Sequence, residues 1–234
     1  MDKQTVRERV WDDLEESGAA RFPFPPHGRI PNFAGADDAA ERLAATDEWV
    51  AAGTLKANPD APQLPVRRAA LRAGRTIYMA VPRLRDPDPF LRLDPAEVED
   101  VDAATTVSGS SDAGEAVGPD AVEPVDLVVC GSVAVSTDGA RIGKGEGYSD
   151  LEYAVLAEFG LVGRSTTVAT TVHERQVFDR LLPTGAHDVP VDLIVTPERT
   201  VRTGATGRRP DGVDWAELDG ERRDEIPVLD GLEP

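Results

Sequence analysis

The chain is poor in several residue types that commonly announce a function, and each scarcity removes a class of chemistry. One cysteine, Cys130, in 234 residues excludes an internal disulfide. Set within an apolar run, that thiol reads as a packing group and not a nucleophile. Three histidines, His27, His173 and His187, with a single thiol give no zinc-ligand spacing, and His187 beside Asp188 reads as a loop pair. Ser132 and Ser136 lack the G-x-S-x-G elbow that a hydrolase triad requires. No apolar stretch approaches the ~18 residues of a membrane span. The opening residues Met1 to Arg7 have no signal-peptide core. A soluble, cytoplasmic protein without a membrane partner is therefore expected.

Positive charge is scarce as well. Against 43 acidic residues stand 25 basic ones, for a net charge of −18 and a pI near 4.5. A nucleic-acid partner is disfavoured, because phosphate backbones would be repelled. Only Lys3, Lys56 and Lys144 are lysine; every other basic residue is arginine. Acid-rich, lysine-poor and aromatic-poor composition fits a halophilic cytosolic protein, in which salt screens the self-repulsion.

Against this background one stretch stands out. Arg141-Ile-Gly-Lys-Gly-Glu-Gly-Tyr-Ser-Asp150 carries glycines at 143, 145 and 147, which free the backbone to adopt positive φ. A helix is expected immediately afterwards. Ser149 and Glu152 fit an S-x-x-E capping box, and Leu151, Val155 and Phe159 recur on one helical face. A glycine loop entering a helix N-terminus offers unpaired N–H groups and the positive end of the dipole to an anion. Lys144 adds a cation. Asp150 would repel a phosphate unless a divalent metal lay between them. The loop is neither a Walker A sequence nor a G-x-G-x-x-G fingerprint.

The surroundings support an α/β reading. Asp126 to Val135 is a continuous apolar run, as in one buried strand, with a turn over Ser136–Gly139 before the loop. Helices are expected over Lys3–Glu16 (stripe Val6, Val10, Trp11, Leu14), from about Gly35 to Thr46 with Ala39, Leu43 and Trp49 inward, and over Val66–Ala73. Strands are expected over Thr54–Ala57, Thr76–Val81, Thr166–Val172 and Val191–Thr196. Phe22 to Pro31 is too proline-rich for helix. Residues 103–123, rich in Ser, Gly, Asp and Ala, read as a long internal loop. Helices alternating with short apolar strands predict a three-layer α/β sandwich. The chain reads as one domain over 1–234, with N-terminal helices in 1–50 and a C-terminal extension, 207–234, anchored by Trp215, Ile226, Val228 and Leu229.

The segment Gly143-Lys-Gly-Glu-Gly-Tyr148-Ser-Asp150 resembles the Gly-x-Gly-x-Gly-Tyr-x-Asp loop of the 5-formyltetrahydrofolate cyclo-ligase family. Lys3-Gln-Thr-Val-Arg7 is similar to that family's N-terminal Lys-x-x-x-Arg, and Asp188-Val-Pro-Val-Asp192 to its closing segment. Ile30-Pro-Asn-Phe33, Asn58-Pro-Asp60 and Arg209-Pro-Asp-Gly-Val-Asp-Trp215 are similar to the methenyltetrahydrofolate synthase domain-containing branch. The resemblance implies a Rossmann-like α/β/α sandwich with a mostly parallel sheet. It also implies an ATP- and Mg2+-dependent ligase closing 5-formyltetrahydrofolate, or a folate-like relative, to the 5,10-methenyl form; a silent nucleotide- or folate-binding relative is the alternative. Carried over by residue, it implies Lys3, Arg7, Arg141, Gly143, Lys144, Gly145, Glu146, Gly147 and Tyr148 on the nucleotide. Lys144 and Tyr148 would serve catalysis, Asn58 and Asp60 the substrate, and Asp150 with Asp192 the magnesium. Glu146 stands where typical members have glycine or a basic residue.

Overall fold

The computed structural model describes residues 1–205, 207–216, 218, 220–230 and 232; the rest of the expected extension 207–234 lies outside them. Helix α1 (Lys3–Glu16) forms where Val6, Val10, Trp11 and Leu14 share a face, and all four are buried. The Asp2 side chain accepts the Thr5 N–H at 2.9 Å to cap it. Strands β1 (Ala20–Arg21) and β2 (Asn32–Phe33) bracket the proline-rich crossing and pair antiparallel. The helix expected from about Gly35 to Thr46 is α2 (Ala36–Ala44), and a short helix α3 (Asp47–Ala51) follows it. The chain breaks because Thr46 takes extended backbone and its hydroxyl caps the Trp49 N–H.

Strand β3 (Thr54–Ala57), helix α4 (Leu64–Arg72) and strand β4 (Thr76–Ala80) make a parallel β-α-β unit. Beyond it lie β5 (Phe90–Leu93), α5 (Val101–Ala104), α6 (Val107–Ala113) and β6 (Glu115–Val117). The long loop expected over 103–123 is thus largely regular structure. Asp100 and Thr106 act as N-caps, accepting from Ala103 and Gly109 N–H groups, so residues typical of loops instead begin helices.

The apolar run 126–135 is also two strands, β7 (Leu127–Val129) and β8 (Ala134–Ser136), separated at Gly131. After them come β9 (Arg141–Ile142), α7 (Tyr148–Glu158), β10 (Thr167–Thr171), β11 (Val177–Phe178), β12 (Leu193–Val195), β13 (Thr200–Arg202) and α8 (Gly220–Asp224). Strands β11, β8 and β9 form a small separate sheet on which α1 packs.

The main sheet has eight strands in the order β13-β12-β10-β7-β3-β4-β5-β6. Its middle five, β12 to β4, are parallel, and the edge pairings β12–β13, β4–β5 and β5–β6 are antiparallel. Alternate side chains serve two cores. Ile77, Met79, Leu127 and Val129 pack with Leu43, Trp49, Val66 and Leu71 of α2, α3 and α4. Tyr78, Ala80 and Val128 pack with Tyr153, Val155 and Leu156 of α7 and with Ile226 and Leu229 near the C-terminus. The result is a three-layer α/β/α sandwich with a mostly parallel sheet. From β3 the chain moves outward through β4, then returns to β7 on the other side of β3. The carboxyl ends of β3 and β7 therefore border the crevice where strand order reverses, the usual ligand position in such sheets. No described helix is long and apolar enough to cross a membrane.

Candidate functional site

A cleft of about 350 Å³ opens at that reversal point. The loop after β3 supplies Asn58, Pro59 and Asp60, the segment after β7 supplies Gly131, and β4 with its following turn supplies Ala80 to Arg83. Opposite them lie Arg141, Gly143, Lys144, Glu146, Gly147 and Tyr148, with Ser149, Asp150 and Glu152 of α7. Of the residues expected in the site, the structure gathers Asn58, Asp60, Arg141, Gly143, Lys144, Glu146, Gly147, Tyr148 and Asp150 around this cleft.

The glycine loop has the backbone that its sequence demands. Gly145 and Gly147 take φ of 115° and 70°, conformations costly for a residue with a Cβ. Gly147, left-handed, is the N-cap of α7 and makes no side-chain cap. The expected capping box is absent: the Glu152 carboxylate is ion-paired with Lys56 across the cleft floor, and Ser149 Oγ lies 3.4 Å from Asn58 Oδ1. Arg7 supports the loop from behind. Its Nε donates to the Gly143 carbonyl at 2.7 Å, and its guanidinium lies against Gly145. Burial lowers the Arg7 pKa, opposed by Asp188 and Asp2. Lys3 is outside the cleft lining, and both Asp188 oxygens accept from its ammonium, at 2.8 and 2.5 Å.

Charges on the loop are already matched. Lys144 pairs with Glu146 at 2.7 Å, and Arg83 lies 3.8 Å from the same carboxylate. Arg83 is held at φ 62°, a conformation non-glycine residues rarely take. Arg141, nearly inaccessible, donates to the Gly131 carbonyl at 3.0 Å and to Asp150 Oδ1 at 2.5 Å. Burial alone would lower its pKa; Asp150, with Cys130 and Asp188, overrides burial and holds it raised. Asp150 Oδ1 also accepts the Val189 N–H at 3.0 Å.

Asp192 is the clear correction. Its carboxylate accepts the Val168 N–H at 2.8 Å and is ion-paired with Arg209. It therefore lies at the starting end of β10 and β12, whereas Asp150 stands at the opposite, carboxyl end. Four residues of chain span up to ~14 Å, enough to carry Asp188 and Asp192 to different ends of the sheet. No group of three or more His, Cys, Asp or Glu side chains suited to a metal occurs among the described residues. The two-aspartate magnesium site does not fit this arrangement. A Mg2+ held chiefly by nucleotide phosphates, with Asp150 as its one protein carboxylate, does fit, since magnesium commonly takes one or two carboxylates plus phosphate oxygens.

Sequence reasoning missed the floor of the cleft. Lys56, in the middle of β3, is 1% exposed. Besides Glu152 it reaches Asn58 Oδ1 at 3.2 Å. Arg67 of α4, also 1% exposed, donates to the carbonyls of Asn58, Asp60 and Thr105 at 2.6, 3.0 and 3.0 Å. That fan of bonds fixes the Asn58–Asp60 loop, and burial pulls the Arg67 pKa down to about 10. Asp60 rests against Gly131, where an added Cβ would come within 2.7 Å of Oδ2. Its carboxyl makes no hydrogen bond or ion pair among the described residues, and burial raises its pKa against the pull of Lys144. One available signal was Lys56 itself, a lone charge in an apolar strand of a lysine-poor chain.

Comparison with known proteins adds to this geometry. Residues 1–197 match the model of the 5-formyltetrahydrofolate cyclo-ligase family. The methenyltetrahydrofolate synthase domain-containing protein of Mus musculus is 43% identical over 238 residues, covering 99% of this chain and 63% of the relative. That of Danio rerio is 41% identical over 236 residues, covering 98% and 61%. The chain thus spans less than two thirds of the length of these relatives. The NMR structure of Aquifex aeolicus 5,10-methenyltetrahydrofolate synthetase is similar with a TM-score of 0.55 at 20% identity, over 93% of this chain and all of that one; that likeness concerns the fold.

Proposed function

Since the chain belongs to the 5-formyltetrahydrofolate cyclo-ligase family, we propose that it is an ATP- and Mg2+-dependent ligase that converts 5-formyltetrahydrofolate, or a close folate-like substrate, to the 5,10-methenyl form. The observation that carries this reading is the meeting of the glycine loop, Lys144 and Asp150 with Asn58 and Asp60 in one cleft at the strand-order reversal. Bound MgATP would supply the phosphoryl group that lets the formyl oxygen depart as phosphate while the substrate's own N10 closes the ring.

Such chemistry requires no protein nucleophile. It requires charge neutralisation and alignment, and the residues present suit those tasks. The loop amides and Lys144 hold the phosphates. Arg7 braces the loop through Gly143. Arg141 fixes the Asp150 carboxylate, which takes the metal, and Tyr148 closes the cleft at the start of α7. Asn58 and Asp60, braced by Arg67, receive the substrate from the sheet side. A phosphate arriving at the loop exchanges with Glu146 for Lys144 and Arg83.

A second reading, a nucleotide- or folate-binding relative without turnover, is favoured by one observation: Lys3 and Lys144 are both already paired with carboxylates. Mixing the protein with MgATP and 5-formyltetrahydrofolate in high salt separates the two. Growth of the methenyl chromophore, lost in Asp150→Ala, supports the ligase. No chromophore with calorimetric MgATP binding intact leaves the silent relative.

A further inference from the structure

The cleft floor carries a buried charge pair for which the ligase chemistry above has no use. In β3, Leu55 and Ala57 point into the core beside α4. Lys56 points to the opposite face, where it meets Glu152 of α7, and both side chains are almost fully buried. A lysine ammonium only donates. The Asn58 atom 3.2 Å from it must therefore be the carbonyl oxygen. Ser149 Oγ approaches that same oxygen. The amide nitrogen of Asn58 is thereby turned away from the pair, and it has no acceptor among the described residues. Beside it stands Asp60, whose carboxyl is equally without a hydrogen bond there.

We propose that Lys56, anchored by Glu152, is a positioning and specificity residue. It locks the Asn58 amide so that its NH2 group donates into the cleft next to the Asp60 acceptor. The floor then reads a ring edge that presents a carbonyl oxygen beside an N–H, the lactam pattern. This inference rests on the folate reading for its ligand, because the pterin ring has such an edge, but not for the locking of Asn58. Arg67 holds the backbone of the same loop and Lys56 sets its side-chain polarity, so the two roles are separate.

Removing one partner would strand the other charge, so the informative variant is Lys56→Met with Glu152→Met. The full chain has two asparagines and three glutamines, so its side-chain amide NMR signals are few, and loss in Asn58→Asp assigns the relevant pair. In the double variant the Asn58 NH2 signals are expected to move while those of Gln4 and Asn32 stay. The calorimetric Kd for 5-formyltetrahydrofolate is expected to rise at least tenfold, and that for MgATP to change by less than twofold. An Asn58 signal that does not move would overturn the locking role. Equal losses for folate and MgATP would reduce Lys56 to a purely structural residue. A wild-type chain that binds no folate would sink the folate reading and the lactam assignment with it, while the amide signals would still judge Lys56.

Discussion

The Lys56–Glu152 pair makes a sharp stability prediction. Their side chains are 1% and 7% exposed, so salt does not screen them as it screens surface charges. Lys56→Met leaves a carboxylate in the floor of the sheet with no counter-charge, and Glu152→Met leaves an ammonium. Each is expected to cost about 3–5 kcal/mol, the usual penalty for breaking a buried pair from one side. Replacing both with Met preserves volume and removes both desolvation penalties, so the double variant is expected within about 1 kcal/mol of wild type. The coupling in a double-mutant cycle is then several kcal/mol, far above the few tenths seen for independent sites. Urea unfolding at molar KCl measures it, with Trp11 and Trp49, both buried, as fluorescent reporters. The coupling should persist across every salt concentration at which the wild type is folded. Single variants that each lose less than about 1 kcal/mol would refute the reasoning, as would a double variant that loses the sum of the two.

Three further outcomes are expected. Asp60→Asn should be more stable than wild type at neutral pH. Burial raises the folded-state pKa of Asp60, so the folded protein holds its proton more tightly than the unfolded one. The wild type therefore loses stability as pH rises through the window between the ordinary and the raised value; the gap should close as pH falls to the ordinary carboxylate range, as paired urea titrations would report. Glu146→Gln should tighten MgATP binding about two- to fivefold, since the competing carboxylate beside Lys144 and Arg83 is gone; calorimetry should find the gain shrinking with added salt. Asp192→Asn should cost about 1–3 kcal/mol of stability through its bonds to Val168 and Arg209. MgATP affinity should stay within twofold of wild type, whereas Asp150→Ala should lose it.

Much of the fold was legible because its signals are local. The stripe of α1 and the apolar strands around 54–57, 76–80 and 167–171 follow directly from side-chain period. The failures arose where a distant partner outcompeted a local rule. Ser149 and Glu152 have capping-box spacing, but Glu152 is claimed by Lys56, 96 positions away in the chain, and Gly147 caps the helix with its backbone conformation. The run 126–135 was read as one strand because its apolar residues flank Gly131-Ser132 on both sides; the chain leaves the sheet at that glycine, where Asp60 and Ile30 crowd the backbone. The spacing of Asp188 and Asp192 suggested one site, but spacing alone does not say that the segment between them runs from one end of the strands to the other.

The three lysines show what a sparse residue can reveal. In this acidic chain arginine supplies the remaining positive charge, yet each lysine meets a carboxylate: Lys3 with Asp188, Lys56 with Glu152, Lys144 with Glu146. Their exposure falls from 37% at Lys144 through 29% at Lys3 to 1% at Lys56. That gradient separates their roles. Lys144 and its partner are half in solvent on a glycine loop, so exchanging a carboxylate for a phosphate costs little. The Lys56 pair cannot be opened without exposing an unpaired charge to the core. Lys144→Arg should therefore keep MgATP affinity within a few fold, since either cation answers a phosphate. Lys56→Arg would have to bury a planar guanidinium where the lysine, bonded to Glu152 and Asn58, is 1% exposed, and should unfold at lower urea than wild type. Equal tolerance at the two positions would mean that burial does not set the role of these cations.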